Sequence, residues 1–526
     1  MKFRLLVIVL VLLIAAGLLA VGGDRLTLRL VGASAWLAIG AAVIALPIGS
    51  LLAIVLARLA IPGRWLAQGL LTLLLFQPLY LTCGAWRAAF GPQGWLQDQI
   101  GSAANPYLLD GWLGAIVLHG IAAIPWTFFF VRMQLATSAP ELEEDALLDS
   151  STTSTLLNVT LRRAAPGVLI AALWIGVVAF GEMTVTSICN VRTYAEVLFT
   201  GITLGEAVDQ TSLPVWPAVL ITLLMTLVAT SLAAQLTPAA TTSMPTRPPT
   251  FPLRPASKFV VSTIAWLAVA LLFGLPIGAF VYKAGLIVDV TNGHVLRSWS
   301  AAKLVELVFA SVDKYSGLFQ WTFALGAVSA AATLLISVSL AWFASRRPFG
   351  QGMIATIAGI LFGIPGPIIA LSLIWLLNRR ESPLLIYFYD RTILAPAIAL
   401  VIISLPICML LLWHLFRVDA GDLDEAAQLE GYGPWRRLWR VGVMRRPAVL
   451  AATFLLAFAL ATSDVTASYL VTPPGVDTLS RTIFEMLHYG AEDNVASLCL
   501  INLAFSATLA VITIMLLRPA FRSAQS

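Results

Sequence analysis

The chain has 526 residues, 59% of them hydrophobic and 11% charged, against roughly 45–50% and about 25% in soluble domains. With a mean hydropathy of +0.90 a water-soluble fold is excluded, and helices that satisfy their own backbone inside a bilayer become the expected architecture. The net charge of +5 follows from basic residues placed between apolar segments, so it does not call for a nucleic-acid partner.

A spanning helix needs ~20 mostly apolar residues. Twelve stretches free of Asp, Glu, Lys and Arg can each hold one: 5–23, 30–57, 65–86, 111–131, 164–181, 211–246, 259–282, 315–345, 348–378, 392–413, 447–463 and 494–517. The first, which follows Lys2 and Arg4, reads as a signal peptide or as an uncleaved anchor. Eleven spans behind it favour the anchor. With the N-terminus inside, alternate inter-span segments hold most of the Lys and Arg, including Arg417, Arg436, Arg437, Arg440, Arg445 and Arg446 in one of them. The positive-inside rule then places both termini in the cytoplasm.

Pro78 in the third stretch and Pro365 in the ninth interrupt apolar runs, as do Pro125 in the fourth and Pro406 in the tenth. Broken helices are tolerated where they face protein or a water-lined cavity, which makes these four prolines candidates for a translocation pathway. Ordinary kinks are the alternative. Glu182 and Asp464 stand near the outer ends of the fifth and eleventh stretches, ~25 Å from the inner surface at ~1.5 Å per residue. An acid at the membrane centre costs roughly 2.5–3.5 kcal/mol, so both are candidate cation-lining residues, with a solvated helix end as the alternative. Cys83, Cys189, Cys408 and Cys499, like His119, His294, His414 and His488, lack the spacing of a metal site or a disulfide framework.

Residues 237–258 carry six prolines among Thr, Ser and basic residues, a composition suited to an extended linker. It separates a first half, 1–236, from a second, 259–526. Six spans precede it and six follow, so the halves read as parallel repeats. Ser138, Glu141, Leu142, Glu143, Glu144, Asp145 and Ala146 match Asp419, Asp422, Leu423, Asp424, Glu425, Ala426 and Ala427 at a constant offset of 281 residues, and Pro125 with Pro406 and Pro166 with Pro447 extend the register. Duplication is the simplest account.

The duplicated segments, 138–166 and 419–447, lie between the fourth and fifth spans of each half. Ser138 with Glu141 and Asp419 with Asp422 have N-cap and N3 spacing, so each predicts a helix starting there. In the second copy Gly431, Gly433 and Pro434 break that helix, and Trp435, Leu438 and Trp439 recur at i, i+3, i+4 among Arg436, Arg437 and Arg440. Such a knob suits docking into a groove of another protein. A basic interfacial helix on anionic lipid is the plainer reading, and two copies at matched positions favour docking on a two-fold partner.

At these residues the chain resembles the inner-membrane permeases of binding-protein-dependent ABC importers, whose cytoplasmic loop reads Glu-Ala-Ala, three residues, then Gly. Glu425, Ala426, Ala427 and Gly431 fit that core; Met444 stands where a proline is usual. The first copy keeps Glu144 and Ala146 but has Asp145 and Ser150 in place of Ala and Gly. The resemblance implies a type I importer permease of all-α fold, with about twelve transmembrane helices in two fused halves, in the bacterial inner membrane. It implies Glu144 and Glu425 as anchors of coupling helices and Gly431 as their turn. It also implies two copies of a cytoplasmic ATPase, an extracytoplasmic binding protein, and a solute that is most consistent with iron(III), with thiamine or phosphonate as alternatives. The chain has no Gly-rich phosphate loop and five lysines, so it is expected to bind no cofactor and to leave ATP hydrolysis to the partner. A twelve-helix secondary transporter is the rival reading, but it gives no reason for paired coupling loops.

Overall fold

A computed structural model describes residues 25–91, 94–95, 107–137, 141–204, 216–236, 250–251, 253–291, 294–379, 381–419, 421–489 and 493–523. The first predicted span, 5–23, residues 237–249 and Pro252 of the linker, and Ser138, the expected start of the first acidic helix, lie outside them.

In the first half, α1 (Arg25–Arg58) is followed by α2 (Arg64–Phe76) and α3 (Leu79–Phe90), then by α4 (Gly111–Thr137), the short α5 (Glu141–Asp149) and α6 (Thr152–Gly181). A five-residue helix α7 (Thr184–Ile188), α8 (Tyr194–Thr203) and α9 (Trp216–Leu236) complete it. The second half begins with α10 (Pro255–Gly285) and a hairpin of β1 (Leu286–Thr291) and β2 (His294–Trp299). It continues with α11 (Ala301–Lys314), α12 (Ser316–Ser345), α13 (Gly350–Gly363), α14 (Gly366–Leu377), α15 (Pro383–Arg391) and α16 (Leu394–Asp419). The short α17 (Gly421–Leu429), α18 (Pro434–Val443), α19 (Pro447–Ser463), α20 (Leu479–Tyr489) and α21 (Asp493–Ser523) follow.

Among the described residues eight helices are long and apolar enough to cross a membrane, and three bent pairs bring the total to eleven. The third and ninth predicted spans are two of those pairs. The axes of α2 and α3 meet at 109° and those of α13 and α14 at 89°. Proline is the cause in both. Pro78 and Pro365 each sit just before the second helix with ψ near 144°, an extended value that ends one helix while the fixed φ of proline starts the next.

Three local expectations need correction. Asp419 lies within α16 rather than ahead of a separate helix start, and its side chain is outside the described residues. The linker ends at Arg254, with Pro255 opening α10 at a first-turn position where its missing N–H costs nothing. Its Phe251 is fully buried, and the Phe251 amide donates to the Arg58 carbonyl at 2.7 Å, so the linker is pinned beneath α1. Finally, Trp435, Leu438 and Trp439 do not share one face. Residues 438–443 wind a wider π turn that shifts the helical phase, leaving Leu438 buried and both tryptophans exposed.

Antiparallel β1 and β2 pair Leu286 with Trp299 and Thr291 with His294. The Asn292-Gly293 dipeptide between two runs rich in β-branched residues is a strong short-range hairpin signal. Asp289 and Arg297 interrupt the runs, so neither reads as a charge-free apolar stretch.

Small residues let the long helices approach closely. A Cβ on Gly49 of α1 would lie 2.6 Å from the Thr127 Cβ and 2.8 Å from the Ile124 carbonyl oxygen of α4. Gly49→Val is therefore expected to force α1 and α4 apart at a cost of about 1–3 kcal/mol, the range for overpacking. A thermal-unfolding midpoint equal to that of the parent chain would contradict this.

Candidate functional site

The two short helices α5 and α17 are held by buried acids. Glu143 is fully buried, and its Oε2 lies 2.7 Å from Nε of Arg58, the last residue of α1, itself 2% exposed. The Arg58 N–H is not aligned along that line, so charge rather than a directed hydrogen bond dominates the pair. Arg58 also donates through Nη2 to the Leu135 carbonyl at 2.9 Å, tying α4 into the same junction. In α17 the acid one position before Glu425 does the same task. Asp424 is buried, with Oδ2 3.3 Å from Arg346 Nε just past α12 and 3.2 Å from Arg437 Nη1 of α18.

Glu144 and Glu425, by contrast, face solvent. Ala426 is exposed as well, whereas Ala427 is buried against a cluster that includes Trp342, Phe416, Leu438 and Val441. Ala146 is half-buried. Each short helix thus seats an acid and the alanine three positions later, while Glu144 and Asp145 of α5 and Glu425 and Gln428 of α17 face outward. Leu148 and Leu429, again 281 positions apart, project from the ends of α5 and α17 with 85% and 90% of their surfaces exposed. Glu143 and Asp424 occupy matched positions, but so do Glu144 and Glu425, and the sequence does not distinguish the two pairs.

The ends of the two helices use different chemistry. Gly431 has φ 77°; its amide donates to Gln428 and that of Tyr432 donates to Ala427, at 2.9 and 3.0 Å, which is a Schellman closure. In α5 the matching Ser150 donates its hydroxyl to the Ala146 carbonyl at 2.8 Å, and Ser151 caps α6 by accepting from the Ser154 amide. A Cβ on Gly431 would meet nothing within 4 Å, so the left-handed backbone alone sets its requirement. Gly431→Ala should cost about 1–2 kcal/mol and Gly431→Asn less, measured as the shift in unfolding midpoint.

Glu182 and Asp464 take equivalent places as caps where α6 and α19 end. Glu182, 8% exposed, accepts from the Thr184 amide at 2.5 Å, from the Thr184 hydroxyl and from the Val185 amide at 3.2 Å. Asp464 accepts from the Thr466 hydroxyl at 2.7 Å and from the Ala467 and Ser468 amides at 3.1 Å. The carboxylates are therefore largely spent on backbone and threonine donors. Glu182 has one further partner, His119 of α4, whose Nε2 lies 3.2 Å from Oε2. The other imidazole nitrogen, Nδ1, lies 2.8 Å from the Ala115 carbonyl, which only accepts. The Nε2 of His119 makes no aligned hydrogen bond, so the His119–Glu182 contact is one of proximity. Loss of a cap costs about 1 kcal/mol, so Asp464→Asn should lower stability by about that amount. Glu182→Gln should lower it more, because the contact with His119 is also disturbed. Reduced uptake by either variant with an unchanged unfolding midpoint would instead restore the cation-lining reading.

Beside His119 lies a cavity of about 210 Å³ whose wall includes Gln77, Thr82, Pro125, Trp126 and Trp174. Gln77 Nε2 and Trp174 Nε1 are buried there without a hydrogen-bond partner. Of the four candidate prolines, Pro125 lines this cavity, and Pro78 forms the break that brings Gln77 to it. Pro365 and Pro406 are not in its wall. The Pro365 break is packed in protein, with Gly363 against Thr222 and Val219 of α9 and Gly366 against Thr466.

No protein-family model matches the chain. It is similar to the Fe(3+)-transport system permease protein FbpB 2 of Haemophilus influenzae, with 23% identity over 231 residues, 43% of this chain and 43% of that protein. The chain is a multi-pass membrane protein. The matched stretch spans less than half the length of that relative.

Proposed function

We propose that the chain is the permease subunit of an ATP-driven importer, built as two parallel six-helix halves joined by the linker 237–254. The carrying observation is the pair of short helices, α5 and α17, each anchored by a buried acid at matched positions and each ending in an exposed leucine. A symmetric pair of exposed knobs suits a two-fold partner, and in this reading two copies of a cytoplasmic ATPase receive them. Rigid seating of the knobs on α1, α12 and α18 lets a push at the knob move the spanning helices. Glu144 and Glu425, being exposed, are free to contact that partner. Similar order in the two halves supports duplication. A helix pair broken at proline, a long helix with an internal proline, a short acidic helix and a capped outer turn occur in both.

In this reading the solute arrives from an extracytoplasmic binding protein, both termini lie in the cytoplasm of a bacterial inner membrane, and ATP is used by the partner alone. Similarity to a permease named for Fe(3+) transport supports iron(III) as the cargo. Co-purification tests the reading: an ATPase should accompany the chain from membranes, and vanadate should stop uptake of radioactive iron(III) in proteoliposomes that hold all the components. Uptake that continues with the ATPase absent would end the proposal in favour of a secondary transporter.

A further inference from the structure

Helix α18 has features that docking of α17 does not use. Its axis meets that of the spanning helix α19 at 87°, so it runs along the membrane face rather than through the bilayer. On its inner side Leu438, Val441 and Gly442 are buried, the last so close to Trp342 that an added Cβ would lie 2.9 Å from the indole. On the outer side Trp435 and Trp439 are 66% and 59% exposed. The Trp435 ring lies 5.1 Å from that of Phe343, in the last turn of the spanning helix α12. That contact sets the indole at the level where a span ends, the depth at which tryptophan is enriched in membrane proteins.

Arg436, Arg440 and Arg445 are all exposed on the same short stretch, and the Arg436 guanidinium is steadied 4.2 Å from the Tyr432 ring centre. No Asp or Glu occurs between Gly431 and Ser463; of the acids on the adjoining α17, Asp424 is paired with Arg437 and Arg346 and pairs with none of these three arginines. The first copy lacks the pairing of indoles with arginines: the positions matching Trp435, Arg436, Trp439 and Arg440 are Ser154, Thr155, Asn158 and Val159, Ala164 matches Arg445, and its Arg162 and Arg163 stand where the second copy has Val443 and Met444.

We propose that α18, with Arg445 beyond it, is a binding site for anionic phospholipid headgroups, present once per chain. Exposed indoles seat in the interface while guanidinium groups take phosphate oxygens in pairs. An ATPase surface is the competing partner. It fits less well, because the ring contact with Phe343 turns Trp435 toward the membrane, whereas the exposed knob Leu429 belongs to the neighbouring helix α17. The proposal requires that the chain spans a membrane and is independent of coupling to ATP.

The test uses the full chain in detergent, titrated with phosphatidylglycerol or phosphatidylcholine and read by native mass spectrometry. Wild type should retain phosphatidylglycerol in preference. The triple variant Arg436→Gln, Arg440→Gln, Arg445→Gln should bind it at least tenfold more weakly, since each basic residue at an anionic surface contributes about fivefold. Equal binding of the two lipids by wild type, or an unchanged affinity in the variant, would overturn the site. A spin label at Trp439→Cys gives an independent reading, because the four native cysteines are buried. In nanodiscs containing phosphatidylglycerol, collisions with oxygen should exceed those with a water-soluble nickel chelate. The reverse order, or immobilisation only when the ATPase is added, would assign the surface to water or to that protein. Since neither measurement involves transport, failure here leaves vanadate-sensitive uptake untouched, and loss of that uptake leaves the lipid result standing.

Discussion

Glu143→Ala is expected to destabilise the chain by about 3–5 kcal/mol, because it strands the Arg58 guanidinium in the interior without a counter-charge. Arg58 and Glu143 are 2% and 0% exposed, so water cannot replace the lost partner. Nor can another acid in the vicinity, since Glu144 on the next position faces outward. The effect should appear as a lower unfolding midpoint in detergent and as faster proteolysis between 138 and 150. Removing both charges together separates the electrostatic cause from simple loss of packing. Arg58→Met with Glu143→Leu should recover most of the stability, as apolar replacement of a buried pair is often neutral or favourable. A double variant as unstable as Glu143→Ala would show that the junction needs the ions themselves. Asp424→Ala should cost less, because its partners Arg346 and Arg437 keep 23% and 20% of their side-chain surface in water.

The second large effect is on function. Leu148→Asp with Leu429→Asp should abolish uptake while leaving the fold intact. Both side chains are almost wholly exposed in the isolated chain, so the substitution removes no internal contact. Burying one leucine against a partner contributes roughly 1.5–3 kcal/mol, and a carboxylate in its place adds a desolvation cost. Loss at both knobs therefore corresponds to at least a hundredfold weaker association with the ATPase. Co-purification should fail, uptake should fall to background, and the gel-filtration profile and unfolding midpoint should match the parent. Full uptake by the double variant would place the contact with the motor elsewhere and remove the main support for coupling through α5 and α17.

Spans and breaks were legible because they are local. An apolar run without charge has one stable place, and proline imposes its φ on whichever helix contains it, so the bends at Pro78 and Pro365 and the turn at Gly431 follow from nearby residues. The first-copy departures at Asp145 and Ser150 were also visible, although not their remedy, the hydroxyl closure by Ser150 and Ser151. The pairing of β1 with β2 is equally local and rests on an Asn-Gly dipeptide between alternating runs, but Asp289 and Arg297 keep both runs from reading as apolar spans.

Local sequence therefore sets the bilayer as solvent, the positions of most helices and their interruptions, and the matched pair of acidic segments. Tertiary structure alone decided which acid in each segment faces inward. Adjacent residues on a helix point about 100° apart, and the choice between Glu143 and Glu144 depends on Arg58, 85 positions away at the end of another helix. The same holds for His119, which acquires meaning only when α4 brings it to Glu182. In a chain this apolar, the few polar groups that must be buried find partners wherever packing places them, and that placement is not written in the neighbouring residues.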